Sequence, residues 1–195
     1  MRFENNSPAS RLIPQRGDHQ LNRTDYTLCA KERRMPEASG KYMKVETRQA
    51  TADDISFLWD VFRVSMKDYI TQTRGEWDEQ REESQFRNQL DLLTTQVVHA
   101  NNLAVGFIMA LVKDGASWIH TICIVPEHQR KGIGTEVLHR VIAQAKEQKM
   151  SLYLNVLKVN PARRLYERLG FGVIEETKHH FRMKFHGASA SESAQ

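Results

Sequence analysis

Residues 117 to 137, Ser-Trp-Ile-His-Thr-Ile-Cys-Ile-Val-Pro-Glu-His-Gln-Arg-Lys-Gly-Ile-Gly-Thr-Glu-Val, constrain the fold of this chain more than any other stretch. The apolar, β-branched run from Trp118 to Val125 reads as a buried strand, and Pro126 stops it. A polar loop with two glycines follows, then the start of an amphipathic helix. Without Cβ atoms at Gly132 and Gly134, a ligand can approach the main chain, and the N–H groups between Arg130 and Thr135 can converge on one point. A helix beginning near Thr135 adds unpaired amides and the positive end of its dipole, with Ile133 inside the loop. Arg130 and Lys131 place mobile positive charge beside it, which suits a pyrophosphate. The plainer reading is a helix-start turn with solvated basic residues. A P-loop is excluded, because no Gly-Lys-Ser/Thr order is present. A dinucleotide fingerprint is excluded by Val137, which stands where its third glycine belongs.

At 195 residues the chain is expected to form one domain with an appendage. The net charge of +4 divides into +3 on residues 1–42 and +1 on residues 43–195. So modest an excess, spread over the appendage, is a weak basis for nucleic-acid binding, which needs clustered phosphate contacts. No apolar run approaches the roughly 20 residues of a membrane span, and the N-terminal stretch lacks the apolar segment of a secretory signal. The two cysteines, Cys29 and Cys123, do not make a disulfide frame, so a reducing cytoplasm is the expected location. Cys123 reads as inert core.

Residues 1–42 show neither helical nor strand periodicity and are expected to be a disordered extension. Glu4, Asp18 and Asp25 argue against a transit peptide, and Met43 is a candidate start of the functional unit. Lys44 to Ala50 alternates as a half-buried strand. Thr51 with Asp54 then caps a helix carrying Ile55, Leu58, Trp59, Phe62 and Met66 on one face. Tyr69 to Glu79 reads as a loop leading into a charged helix that runs to about Leu93. Trp77 is either a hydrophobic lid or packing at a helix start, and Glu79, with Glu82 and Glu83, either attracts a cationic amine or faces solvent. Two strands meet at Asn101-Asn102, and Asp114-Gly115 turns into the run around Ile122. After the glycine loop come a helix with Val137, Leu138, Val141, Ile142 and Ala145 inward, a strand at 151–156 and a short helix at 161–169. A final hairpin spans 171–185, and a loose tail is expected over 187–195.

The loop and the segment after it together resemble the GNAT N-acetyltransferase superfamily. Its coenzyme A loop reads Gln/Arg-x-x-Gly-x-Gly/Ala after an apolar-x-apolar-x-Pro strand end. This chain has Ile122-Cys123-Ile124-Val125-Pro126 and then Gln129-Arg130-Lys131-Gly132-Ile133-Gly134. A second block follows with Leu152-Tyr-Leu-Asn-Val156, Asn160-Pro-Ala and Leu165-Tyr166-Glu-Arg-Leu-Gly170-Phe171. The resemblance covers roughly residues 44–185. It implies an α/β (α+β) fold in which a mixed, mostly antiparallel sheet of about seven strands is flanked by about four helices and splayed between strands 4 and 5. It implies a domain over residues 43–186 and acetyl-CoA as cosubstrate, with no metal. Residues 129–135 would hold the pyrophosphate. Backbone at Ile122 would polarise the thioester carbonyl, and Ile124 would contact the pantetheine. Asn160 would bond the pantetheine or the loop that holds it, and Tyr166 would protonate the departing thiolate. Lys158, Arg163 and Arg164 would either meet the adenosine 3′-phosphate or face solvent.

Acetyl transfer to an amine needs a neutral nucleophile. An alkylamine of pKa near 10.4 is neutral in only about one molecule in a few thousand at pH 7. Simple strand parity places Trp118, His120, Ile122 and Ile124 on one face, where His120 is the only titratable side chain. It is the preferred base, the alternative being a histidine satisfied within a packed strand. The expected activity is direct transfer from acetyl-CoA to a primary amine in a ternary complex. A non-catalytic acyl-CoA sensor or interaction module is the alternative. The expected partner is a small-molecule or protein amine, not nucleic acid or membrane, and a homodimer is left open.

Overall fold

The computed structural model describes residues 43–187. The expected extension at 1–42 and nearly all of the expected tail lie outside the described residues. In chain order the elements are β1 (Val45–Gln49), α1 (Ile55–Arg74), α2 (Glu79–Gln89), β2 (Thr95–Ala100), β3 (Leu103–Lys113) and β4 (Ala116–Ile124). These are followed by α3 (Ile133–Glu147), β5 (Leu152–Leu157), α4 (Arg163–Arg168), β6 (Phe171–Glu176) and β7 (His180–Phe185). The strands form one sheet of order β1-β2-β3-β4-β5-β7-β6, antiparallel throughout except for the parallel β4–β5 pair. The mixed, splayed seven-stranded fold that the motifs implied is therefore the one observed.

Two-residue turns make the β2–β3 and β3–β4 hairpins. Asn101 and Asn102 take φ of 50° and 68°, and Asp114 and Gly115 take 52° and 74°, the left-handed pair that a tight hairpin requires. The sheet buries both faces. On one side α3 and α4 cover a cluster containing Ile119, Ile124, Ile133, Val137, Leu138, Leu154, Tyr166 and Met183. On the other, α1 and α2 bring Leu58, Trp59, Val61 and Phe86 onto Val97, Phe107 and Cys123. Each large aliphatic side chain so buried contributes about 1.5–3 kcal/mol before entropy is counted.

The region expected to be a loop at Tyr69–Glu79 is partly helical. Nothing between Tyr69 and Arg74 breaks a helix, and buried Ile70 extends the apolar stripe, so α1 continues until Gly75 (φ 87°) ends it with a bond from its N–H to Thr71 O of 2.8 Å. Helix α2 starts where Asp78 accepts from the Arg81 amide (3.0 Å) and ends at Gln89, short of Leu93, because Leu90 is extended.

Candidate active site

The parallel β4–β5 pairing covers only Ser117–Ile119 against Leu152–Leu154. Beyond it the strands part, so residues 120–124 and 155–157 face each other across a gap instead of completing a ladder. A bulge sets how β4 presents itself there. Met109 pairs with Thr121 and Ala110 with Ile119, which leaves His120 as the extra residue. The parity expected for this strand therefore fails. Ile119, Ile122 and Ile124 all lie with the α3-side cluster, while Trp118 is in a different phase and stacks on Tyr153 at 4.9 Å.

The same bulge re-aims the main chain. The Ser117 N–H donates to Ser151 O and the Val125 N–H to Val105 O, each at 2.9 Å. Alternation from these two ends, with one residue inserted, turns the peptide groups of Ile122 and Ile124 toward the gap. The Ile124 carbonyl already accepts from Gln129 Nε2 (2.8 Å) and Ser65 Oγ (3.3 Å). Gln129 thus acts through its side chain as a tie between loop and strand end.

The glycine loop follows the end of β4 and leads into α3. Arg130 (φ 59°) and Gly132 (φ 83°) both adopt the left-handed conformation, and Gly132 caps α3. The first helical bond runs from Glu136 N–H to Gly132 O at 3.0 Å, so the amides of Ile133, Gly134 and Thr135 precede the ladder and remain available. Gly134 is instructive because the fold does not need it: a Cβ there would meet only Leu165 Cδ2, at 3.9 Å. Among the described residues, no cluster of His, Cys, Asp or Glu is arranged to hold a metal ion.

A cavity of about 680 Å³ lies in the gap and continues to the α1 side, lined by Ile119–Ile122, Leu154–Leu157, Asn160 and Tyr166 among others. His120 opens onto it with Nδ1 3.0 Å from Thr121 Oγ1, and partial burial lowers its pKa from the ordinary imidazole value. Tyr166 is buried against Phe171 (6.0 Å, edge-on), and burial, then the nearby Cys123, raises its phenol above the usual range. Burial pushes the Cys123 thiol up to about 12, opposed by a bond with Ser65. It stays a thiol at neutral pH and is no nucleophile.

Several expected site residues are engaged elsewhere. Trp77 stacks on Trp59 at 6.0 Å and donates Nε1–H to Glu79 at 2.6 Å, while Glu79 also lies 3.6 Å from Arg63. Neither lines the cavity, so the packing alternative describes Trp77. Arg163 pairs with Glu167 at 2.7 Å and sits 4.2 Å over Phe181, away from the cavity; Lys158 pairs with Glu176 at 2.5 Å. Asn160 does line the cavity, and its Oδ1 accepts from Ala162 N–H at 2.9 Å, which fixes the entry to α4. The cavity instead recruits Arg74, His180 and Arg182, which lie outside the motifs, and Asn155, which stands within the second block without a role assigned to it. Continuing the helical pattern through Ile70 would have exposed Arg74; nothing in the final hairpin's alternation distinguishes Arg182.

A mixed sheet parted along its one parallel pair, with a left-handed glycine turn into a helix at the gap, defines an acyltransferase fold. The acetyltransferase (GNAT) family model matches residues 58–171, and the chain belongs to that family. An [ribosomal protein]-alanine N-acetyltransferase of Haemophilus influenzae is 33% identical over 82 residues, 42% of this chain and 56% of that protein, so the match spans little more than half of the curated relative. Among solved structures, the PaiA N-acetyltransferase of Thermoplasma acidophilum in complex with coenzyme A superposes with a TM-score of 0.61 at 21% identity, over 73% of this chain and 99% of that one. A GNAT acetyltransferase of Elizabethkingia anophelis with acetyl-CoA bound gives 0.51 at 16% identity, over 72% and 97%. At these identities the structural matches show the fold. Among the described residues no helix is long and apolar enough to cross a membrane.

Proposed function

We propose that residues 43–186 form a unit that transfers an acetyl group from acetyl-CoA to a primary amine, directly and within a ternary complex. The observation that carries this reading is the parting of β4 from β5 beside a cavity that Ile122 and Tyr166 line, with β4 leading directly into a glycine turn whose amides precede the α3 ladder. The pyrophosphate sits on the amides of Ile133–Thr135, with Arg130 and Lys131 beside it. The pantetheine arm then occupies the place of the missing β4–β5 ladder bonds, and the Ile122 N–H polarises the thioester carbonyl. His120, whose pKa burial lowers, takes the ammonium proton directly or through water. The amine nitrogen forms the new C–N bond, the C–S bond breaks, and Tyr166, protonated across the working range, gives its proton to sulfur; the second proton leaving the nitrogen passes through water to restore the phenol.

His120→Ala is expected to lower kcat/KM by about 100-fold near pH 7. The deficit should shrink above about pH 9, where more of the amine arrives already deprotonated. Initial rates from pH 6 to pH 10, read as free thiol release, check this; a deficit of the same size at every pH removes His120 from the base role.

A further inference from the structure

Away from the glycine loop, the cavity wall is unevenly charged. Arg74 from the last turn of α1, Lys113 from the β3–β4 hairpin and Arg182 from β7 line it together with His120 and His180. The one carboxylate in that lining is Asp114, exposed at the hairpin turn. Both arginines are anchored by acids that stand outside this wall. Arg74 gives Nη1–H to Glu82 (2.9 Å), a side chain 3% exposed that reaches only a smaller annex of about 100 Å³ and is also covered by Arg81 (3.2 Å). Arg182 gives Nη1–H to Glu175 and Nε–H to Asn155 Oδ1 (3.4 Å), and its guanidinium lies 5.7 Å from the Trp118 ring. Among the described residues, Nη2 of neither arginine has a hydrogen-bond partner, and Lys113 has no ion-pair partner. Arg74 of α1 and His180 of β7 line the same cavity, and burial, then His179 and Arg74, lower the His180 pKa.

An anchored guanidinium with free N–H groups is a preorganised receptor for a planar or tetrahedral anion. Glu82 and Glu175 do not line this cavity, so what the wall offers a ligand is guanidinium and ammonium N–H, with Asp114 the one carboxylate. We propose that the acceptor amine carries an anionic group, a carboxylate or a phosphate, bound by Arg74, Arg182 and Lys113 while the amine is presented at the β4–β5 gap. This rests on the transferase reading above and names its substrate class.

Calorimetry on the full chain tests it, first with coenzyme A alone and then titrating the coenzyme complex with matched amines: lysine and cadaverine, alanine and alaninamide, O-phosphoethanolamine and ethanolamine. The anionic member of at least one pair is expected to bind about 10-fold tighter or more, with a preference that weakens as salt is raised. The first two pairs read a carboxylate and the third a phosphate. Arg182→Gln is expected to remove most of that preference while coenzyme binding stays unchanged. Absence of coenzyme binding would overturn the transferase reading and this inference with it. Coenzyme binding accompanied by equal or tighter binding of the members that lack the anionic group, by binding of no amine at all, or by a preference that Arg182→Gln leaves intact, overturns this inference alone.

Discussion

Gly134→Asp is expected to weaken coenzyme A binding by about 100-fold, a loss of about 2.7 kcal/mol, without unfolding the protein. The two effects separate because position 134 is uncrowded within the protein yet adjoins the amides that would hold the ligand. Toward the protein, a side chain at position 134 meets only Leu165 Cδ2 at 3.9 Å, an ordinary contact. An acidic residue in the first turn of α3 interacts favourably with the helix dipole, and replacing glycine there lowers the entropic cost of helix formation. The ligand-free variant should therefore melt at or slightly above the wild-type temperature. For the ligand, the carboxylate brings a negative charge beside the amides of Ile133–Thr135 that would meet a diphosphate, and juxtaposed like charges cost several kcal/mol. Gly134→Ala is the control: the resemblance allows alanine at this position, and binding should be kept. Calorimetry and thermal melts on the three proteins read both quantities. An aspartate variant that binds as tightly as wild type contradicts the placement of the diphosphate.

Tyr166→Phe is expected to lower kcat by about 100-fold with little change in KM for acetyl-CoA. Only the hydroxyl is removed. The ring keeps its edge-on contact with Phe171 and its place in the α3-side cluster, so the thermal melt should hardly move. Because burial holds the phenol above its ordinary pKa, the wild-type group remains a proton donor at every practical assay pH, and no alkaline limb near pH 10 should be assignable to it. Steady-state rates with a leaving thiol measured directly check the prediction. Unchanged kcat would mean that another donor serves the thiolate, and would favour the reading of this chain as a sensor that binds acyl-CoA without turnover.

The fold was legible because its markers are local. Two tight turns at Asn101-Asn102 and Asp114-Gly115, the Pro126 stop, the glycine loop and the Asn160-to-Phe171 block each act over a few residues, and all of them hold in the structure. What was missed depends on contacts between distant segments. The bulge at His120 arises from pairing with β3, and no pattern within β4 announces it, so strand parity assigned His120 to the same face as Ile122. That error concealed the more useful consequence, that the insertion turns the peptide groups of both Ile119 and Ile122 toward β5. Trp77 and Glu79 looked like acceptor contacts because they stand in a polar stretch; Trp59 and Arg63, a helix away, claim them. Arg163 was similarly taken by Glu167 and Phe181. The cationic wall of Arg74, Lys113 and Arg182 draws on three separate elements, and only the folded chain assembles it.

Amide hydrogen exchange on the full chain, with and without acetyl-CoA, reads the very backbone N–H groups that would hold the coenzyme. Strong new protection is expected at Ile122 and at Ile133–Thr135, with smaller changes over 155–160 and little elsewhere in the sheet. Saturating acetyl-CoA with unaltered exchange at Ile122 and Ile133–Thr135, or protection concentrated at another part of the molecule, would contradict this placement of the coenzyme.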